Sequence, residues 1–165
     1  MRKRRTGSLR FPVVSHSAEY LAIGYLMRRN ILAYKAPPHN EGYDLICIHP
    51  DPRRARNRKQ VRVQVKSRYQ TDCDRTVPMK KPTFRAFDYL IIVFLNIGNF
   101  YRKGHSGSSE HEPEFVTLPK AVAKRWYRPV GWGRVDTKRH NLESYLNEKG
   151  ILRIAKELRI QYPSR

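Results

Sequence analysis

The sequence predicts an α/β or α+β fold, a mixed central β-sheet of about four strands with helices packed on it. Three observations lead there. A helical period runs over 18–26, β-branched and apolar runs over 43–48, 61–67 and 87–95 supply strands, and helical spacing returns after Pro119 and between 141 and 162.

Taken in order, residues 1–14 hold Arg2, Lys3, Arg4, Arg5 and Arg10 and form a basic flexible arm. Residues 15–165 then form a single domain, long enough to bury a core without disulfides or a structural metal. Ser15 or Ser17 is the expected helix N-cap, with Ala18, Leu21, Ala22, Tyr25 and Leu26 on one face and an end near Asn30. Glu19 falls in the first turn of that helix, where the dipole favours a carboxylate, so a purely structural role competes with a catalytic one.

The stretch 31–34 is a helix exit or a short strand, broken by Pro37-Pro38 and a polar turn. A strand over 43–48 stops at His49-Pro50-Asp51-Pro52, and a basic loop leads to the strand over 61–67. Alternation there sends Val61, Val63 and Val65 to a core and Arg62, Gln64 and Lys66 to the other face. A connection of this length makes the two strands an antiparallel hairpin. After a looser stretch through Thr71 and Pro78, residues 87–95 form a continuous apolar strand, the kind buried on both faces at a sheet centre. Residues 96–113 have no periodicity and are expected to be an exposed mobile loop. A short strand over 114–118 follows, Pro119 suits the first turn of a helix, and two helical pieces flank Gly150.

Lysine and arginine number 34 against 14 aspartate and glutamate, a formal charge of +20. Such an excess points to a polyanion, since each neutralised phosphate releases counterions. Cys47 and Cys73 are far apart and belong to no CxxC pair, so neither a disulfide framework nor a zinc knuckle is expected. The six histidines show no HxH or HxxxH spacing, and no glycine-rich phosphate loop occurs. The longest apolar run, 89–95, is far short of the roughly 20 residues that span a bilayer. Phe11-Pro12-Val13-Val14 after the basic start runs straight into Ser15-His16-Ser17 and makes no signal-peptide core, so the expectation is a cytoplasmic protein with no membrane partner.

Glu19 on a helix, Asp44 on the first strand of the hairpin, and Gln64 and Lys66 on one face of the second can converge at one end of the sheet. That order, over roughly residues 15–95, resembles the PD-(D/E)xK nuclease superfamily and its restriction-endonuclease-like fold. The Gln64-Val65-Lys66 form is similar to intron-associated homing endonucleases and resolvase-like nucleases. The resemblance implies a Mg²⁺- or Mn²⁺-dependent endonuclease that hydrolyses DNA phosphodiester bonds. It implies Asp44 as the principal metal ligand, with the Gln64 side-chain oxygen and the Val65 carbonyl completing the protein's share. Lys66 would orient or help deprotonate the attacking water and stabilise transition-state charge, and Glu19 would act through water.

Gln64 stands where the family usually has an acid, which removes one negative charge. The literal Pro-Asp pair is Pro50-Asp51, in the turn beside Pro52, whereas Asp44 adjoins the strand and is the preferred ligand. DNA, rather than RNA, is the expected partner, with Arg53, Arg54, Arg56, Arg58, Lys59, Arg68, Tyr69, Lys80 and Lys81 as nucleic-acid-binding residues, the arginines through phosphate or guanine, and a solvated tip as the competing role of the loop 53–59. Arg125-Trp126-Tyr127-Arg128 with Trp132 and Arg134 interleaves cations with rings able to stack on unpaired bases. For Trp126, packing a helix onto the sheet is the competing role. One site per chain and two strands to cut favour a homodimer or higher homo-oligomer. Two other classes stay open: a catalytically inactive nucleic-acid-binding module on the same fold, and a basic RNA-binding protein of ribosomal type with Asp44 and Lys66 far apart.

Overall fold

The computed structural model describes residues 12–40, 42–71, 75–97 and 111–162. The basic arm up to residue 11, Cys73 and the loop 98–110 lie outside the described residues.

Helix α1 spans Pro12–Met27 and so begins before either serine expected to cap it. Proline suits a first helical turn, where its missing N–H costs nothing. Residues 12–14, expected in the arm, are therefore helical. Ser17 is interior and returns its hydroxyl to the Val14 carbonyl at 2.8 Å. The first turn contains no acid, which places Glu19 deeper in the helix and removes the dipole explanation for it. The helix ends in a Schellman motif: Asn30 adopts φ 57°, its N–H bonds Met27 O at 2.9 Å, and Ile31 N–H bonds Leu26 O at 3.2 Å. Leu26 and Ile31 are both fully buried, so the chain turns directly into the sheet.

Eight strands follow among the described residues: β1 (Leu32–Lys35), β2 (Leu45–Ile48), β3 (Gln60–Arg68), β4 (Thr76–Pro78), β5 (Tyr89–Phe94), β6 (Glu114–Pro119), β7 (Tyr127–Arg128) and β8 (Arg134–Asp136). Helix α2 (Lys120–Arg125) lies between β6 and β7, and α3 (Asn147–Glu157) closes the fold. The main sheet is β1-β2-β3-β5-β6, antiparallel except for the parallel pair β3–β5. It has one strand more than expected because 32–35 pairs as a true edge strand. A second sheet, β4-β8-β7, was not foreseen. Its strands are two or three residues long, too short to show alternation.

Val61, Val63 and Val65 face α1 and α3, sharing a core with Ala18, Ala22, Leu26, Ile151, Ile154 and Leu158. The opposite face packs Leu90, Ile92, Phe94, Val116 and Leu118 against Val77, Phe84, Phe87, Trp126 and Val135. Strand β5 is buried at every position, as a central strand covered on both faces must be. Among the described residues no helix is long and apolar enough to cross a membrane.

Gly150 is not the expected break. Helix α3 runs through it because β6 and the preceding turn approach too closely for any side chain. A Cβ there would overlap the Tyr145 carbonyl oxygen and stand 2.9 Å from Thr117 Cβ. Alanine for glycine inside a helix normally gains about 1 kcal/mol. Here the sign reverses: Gly150→Ala is expected to lose about 1–3 kcal/mol by overpacking, read as a lower urea midpoint with an unchanged slope.

Candidate active site

The β2–β3 register pairs Leu45 with Val63, so Asp44 stands beside Gln64 at the same end of the sheet. Backbone bonds hold it there: Asp44 N–H donates to Val63 O at 2.8 Å, and Ala36 N–H donates to Asp44 O at 2.7 Å. The Asp44 Oδ2 atom accepts the Val65 N–H at 2.7 Å and the Gln64 side-chain amide. The same amide nitrogen donates to Val65 O at 3.3 Å. A donor group thus sits between a carboxylate oxygen and a carbonyl oxygen, the kind of place a cation favours. Oδ1 carries no hydrogen bond among the described residues, and Gln64 is only 5% exposed.

Burial pushes the Asp44 carboxyl above the usual aspartate range, and Glu19 adds to the rise; the Val65 N–H, Lys66 and Lys35 oppose it. Along the polar face of β3 the three side chains differ. Arg62 grips Asp88 with its guanidinium at 3.3 Å to each carboxylate oxygen. Gln64 bridges to Asp44, and Lys66 is half-buried with no ion pair among the described residues. Glu19 reaches the same end from α1, its Oε2 2.8 Å from Lys35 Nζ and its Oε1 3.9 Å from His16 Nδ1. Lys35 in turn is raised, first by its hydrogen bond to Glu19.

Asp44, Gln64 and Lys66 line one open cleft of about 470 Å³ with Gly42, Pro78, Met79, Lys80, Thr83 and Trp132. Larger cavities of about 790 and 1080 Å³ lie beside α3 and along α1. The smaller one is the candidate site, because there the half-buried Asp44 carboxylate and Lys66, which has no ion pair among the described residues, come together with the Val65 carbonyl close by. Among the described residues no three His, Cys, Asp or Glu side chains cluster for a metal. The available donor set is instead oxygen from Asp44, Val65 and, with its amide turned over, Gln64. Amide oxygen and nitrogen are interchangeable in that sense.

The other predicted residues divide. Asp51 is in a turn at the far end of the hairpin, where Arg53 donates Nε and a terminal nitrogen to it at 2.8 and 3.1 Å. Those bonds hold its carboxyl down at about 2. Arg53, Arg54, Arg56, Arg58 and Lys59 gather at that same end, roughly 20 Å along β3 from Lys66. Lys59 is paired with Glu157 at 2.7 Å. Arg68 donates its Nε to the Thr76 carbonyl, tying β3 to β4, and Tyr69 is also engaged within the protein. Lys80 lines the cleft; Lys81 joins Arg85 and Lys124 around a neighbouring hollow. Trp126 is 5% exposed and stacks on His140 at 4.1 Å, a core role.

The places of two residues near the site are not readable from the sequence. Lys35 pairs in register with Leu45, one residue from Asp44, which becomes visible only once 32–35 is known to be a strand. Trp132 was noted for its ring, and its place at the cleft depends on the unforeseen second sheet.

The raised Asp44 carboxyl means that the fold favours the protonated form. That contribution is complete below the ordinary aspartate pKa of about 4 and is lost as pH rises through the raised value. Asp44→Asn, which mimics the protonated group, is therefore expected to raise the thermal unfolding midpoint at pH 7 in metal-free buffer. The gain should shrink to nothing as melts are repeated toward pH 3.

No protein-family model matches the chain, and no curated protein sequence matches it. Among solved structures it is similar to a bacterial homing endonuclease, I-Ssp6803I, over 90% of this chain and 93% of that one, with a TM-score of 0.53 and 16% identity. At that identity the likeness is one of fold: the chain has an endonuclease-like α/β fold.

Proposed function

We propose that this chain is a Mg²⁺- or Mn²⁺-dependent endonuclease that hydrolyses phosphodiester bonds in DNA. The observation that carries the reading is the convergence of Asp44, Gln64 and Lys66 in one cleft, with the Val65 carbonyl 3.3 Å from the Gln64 amide, in a chain with a +20 charge. Asp44, Val65 O and the Gln64 side-chain oxygen would hold the cation, a hard oxygen set with room left for water and phosphate. When bound, it supplies Lewis-acid polarisation of the phosphate and acidifies water. Lys66, with no ion pair among the described residues, is left to stabilise charge developing on the phosphoryl oxygens. Glu19, fixed by Lys35, is placed to orient a water from the helix side.

Lys80, Lys81, Arg85 and Lys124 extend positive charge from the cleft. The basic loop 53–59 lies roughly 20 Å away, about six base pairs of duplex, so DNA running along β3 would touch both. Cutting both strands calls for two copies of this single-site chain.

The test is incubation of supercoiled plasmid and branched DNA with Mg²⁺ or Mn²⁺. The wild-type chain is expected to nick, and Asp44→Ala and Lys66→Ala each to slow cutting by about 100-fold or more. Asp51→Ala, at the wrong end of the hairpin, should stay within about twofold of wild type on that scale. DNA that is bound but never cut, across substrates and metals, would instead establish a binding module on this fold.

A further inference from the structure

The β7–β8 hairpin carries Trp132 at its tip, 87% exposed, with Val130 beside it at 61%. Tryptophan is on average among the most buried residues, and covering such a ring is worth about 1.5–3 kcal/mol or more. A lone exposed ring elsewhere would need no explanation. This one stands on the rim of the cleft that holds Asp44, Gln64 and Lys66, next to Lys80.

Its position is fixed. Gly133 N–H closes the turn onto Val130 O at 3.1 Å, and Gly133 O accepts the Met79 N–H at 3.1 Å, just before Lys80. Gly133 has φ 78°, and a Cβ there would collide with the Tyr127 hydroxyl and stand 2.7 Å from Met79 O. Val135, three residues past the ring, is fully buried and pairs with Val77. Gly131 and Gly133 flank the indole, so neither chain neighbour contributes a side chain to cover it. Among the described residues no ring and no cation stacks on it. A flat apolar surface thus stands in water on an anchored turn, sharing the cleft rim with Lys80 and followed two residues on by the exposed Arg134.

We propose that Trp132 is a stacking platform for an unstacked nucleobase next to the phosphate that enters the cleft, which makes DNA with a broken base stack the preferred substrate. Any base offers a π-face, so the platform selects for access rather than for sequence. Lys80 and Arg134 would neutralise the phosphates on either side of that base. A base in an intact duplex is already stacked and presents only its edges, leaving the indole without a partner. This inference rests on the nuclease reading and narrows its substrate.

Binding is measured in EDTA, where no cutting occurs, with a fully paired duplex and the same duplex carrying a short single-stranded gap. The wild-type chain is expected to prefer the gapped DNA and to show quenching of tryptophan emission on binding it. Trp132→Phe should lose most of the quenching, since buried Trp126 remains, while keeping most of the affinity. Trp132→Ala should weaken gapped-DNA binding by about ten- to one-hundredfold, and the paired duplex distinctly less. Being exposed, both variants are expected to melt as wild type does, and the melts are run beside the titrations. Equal loss on the two DNAs, or no loss on either, overturns the platform while leaving the nuclease reading to the cleavage assay. A wild-type chain that binds neither DNA overturns both. Adding dAMP as competitor separates the source of the base: competition below millimolar concentration would mean a free-nucleotide site and overturn the DNA assignment.

Discussion

The parallel pairing of β3 with β5 is the constraint on which the rest of the molecule depends. Six residue pairs, from Val63–Tyr89 to Arg68–Phe94, set its register. Its start is pinned twice, by Asp88 N–H to Arg62 O at 2.8 Å and by Arg62 N–H to an Asp88 carboxylate oxygen at 2.9 Å. The guanidinium closes on the same carboxylate, and Lys120 approaches it at 3.7 Å. Burial alone would raise the Asp88 carboxyl, yet these bonds hold it below its ordinary value. A parallel pair cannot be closed by a tight turn, so the chain must cross from one end of the sheet to the other. Here the crossing is made by β4 and the short helical turn Lys81–Arg85 rather than by a long helix.

That choice of crossing builds the site. Strand β4 recruits β8, and β8 recruits β7, so a second small sheet stands over the polar face of β3. Pro78, Met79 and Lys80 leave β4 as one wall of the cleft, and the β7–β8 tip supplies Trp132 as its rim. The hairpin β2–β3 supplies the opposite wall with Asp44 and Gln64. Packing, crossover and chemistry are therefore one problem: the strand that buries three valines on one face presents Arg62, Gln64 and Lys66 on the other.

The central strands were legible because their signals are local. Alternation over 61–67 and the unbroken apolar run of β5 each specify a face pattern that no neighbour has to supply. The proximity of Asp44 to Gln64 followed from the hairpin alone. The sequence puts Glu19 in the correct helix but the wrong turn, because Ser15 and Ser17 carry the capping signal whereas Pro12 opens α1. Gly150 was misread for the opposite reason. Its local signal is a helix break, whereas its cause is the approach of the Tyr145 carbonyl five residues earlier and of Thr117 on β6, a contact that exists only once α3 packs on the sheet. Lys35 and Trp132 depend on which strands become neighbours, and that is settled by pairing rather than by composition.

Gln64 is the residue where the charge of the site is decided. Asp44 and Glu19 already repel one another, and Lys35 and Lys66 offset them, with Lys80 on the exposed rim of the cleft. A third carboxylate at position 64, only 5% exposed and directly against Asp44 Oδ2, would be a buried like charge, and burying such a charge costs several kcal/mol. The neutral amide avoids that cost and satisfies Asp44 Oδ2 with its own hydrogen. It also retains an oxygen, which a half-turn of the amide offers to a cation between Asp44 and the Val65 carbonyl. On the proposed reading, glutamine suits a cleft that must fold without a cation and could still offer one an oxygen. An acid at the same place would add an oxygen of full charge for the proposed cation, but would set two carboxylates side by side in a site that has to fold without it.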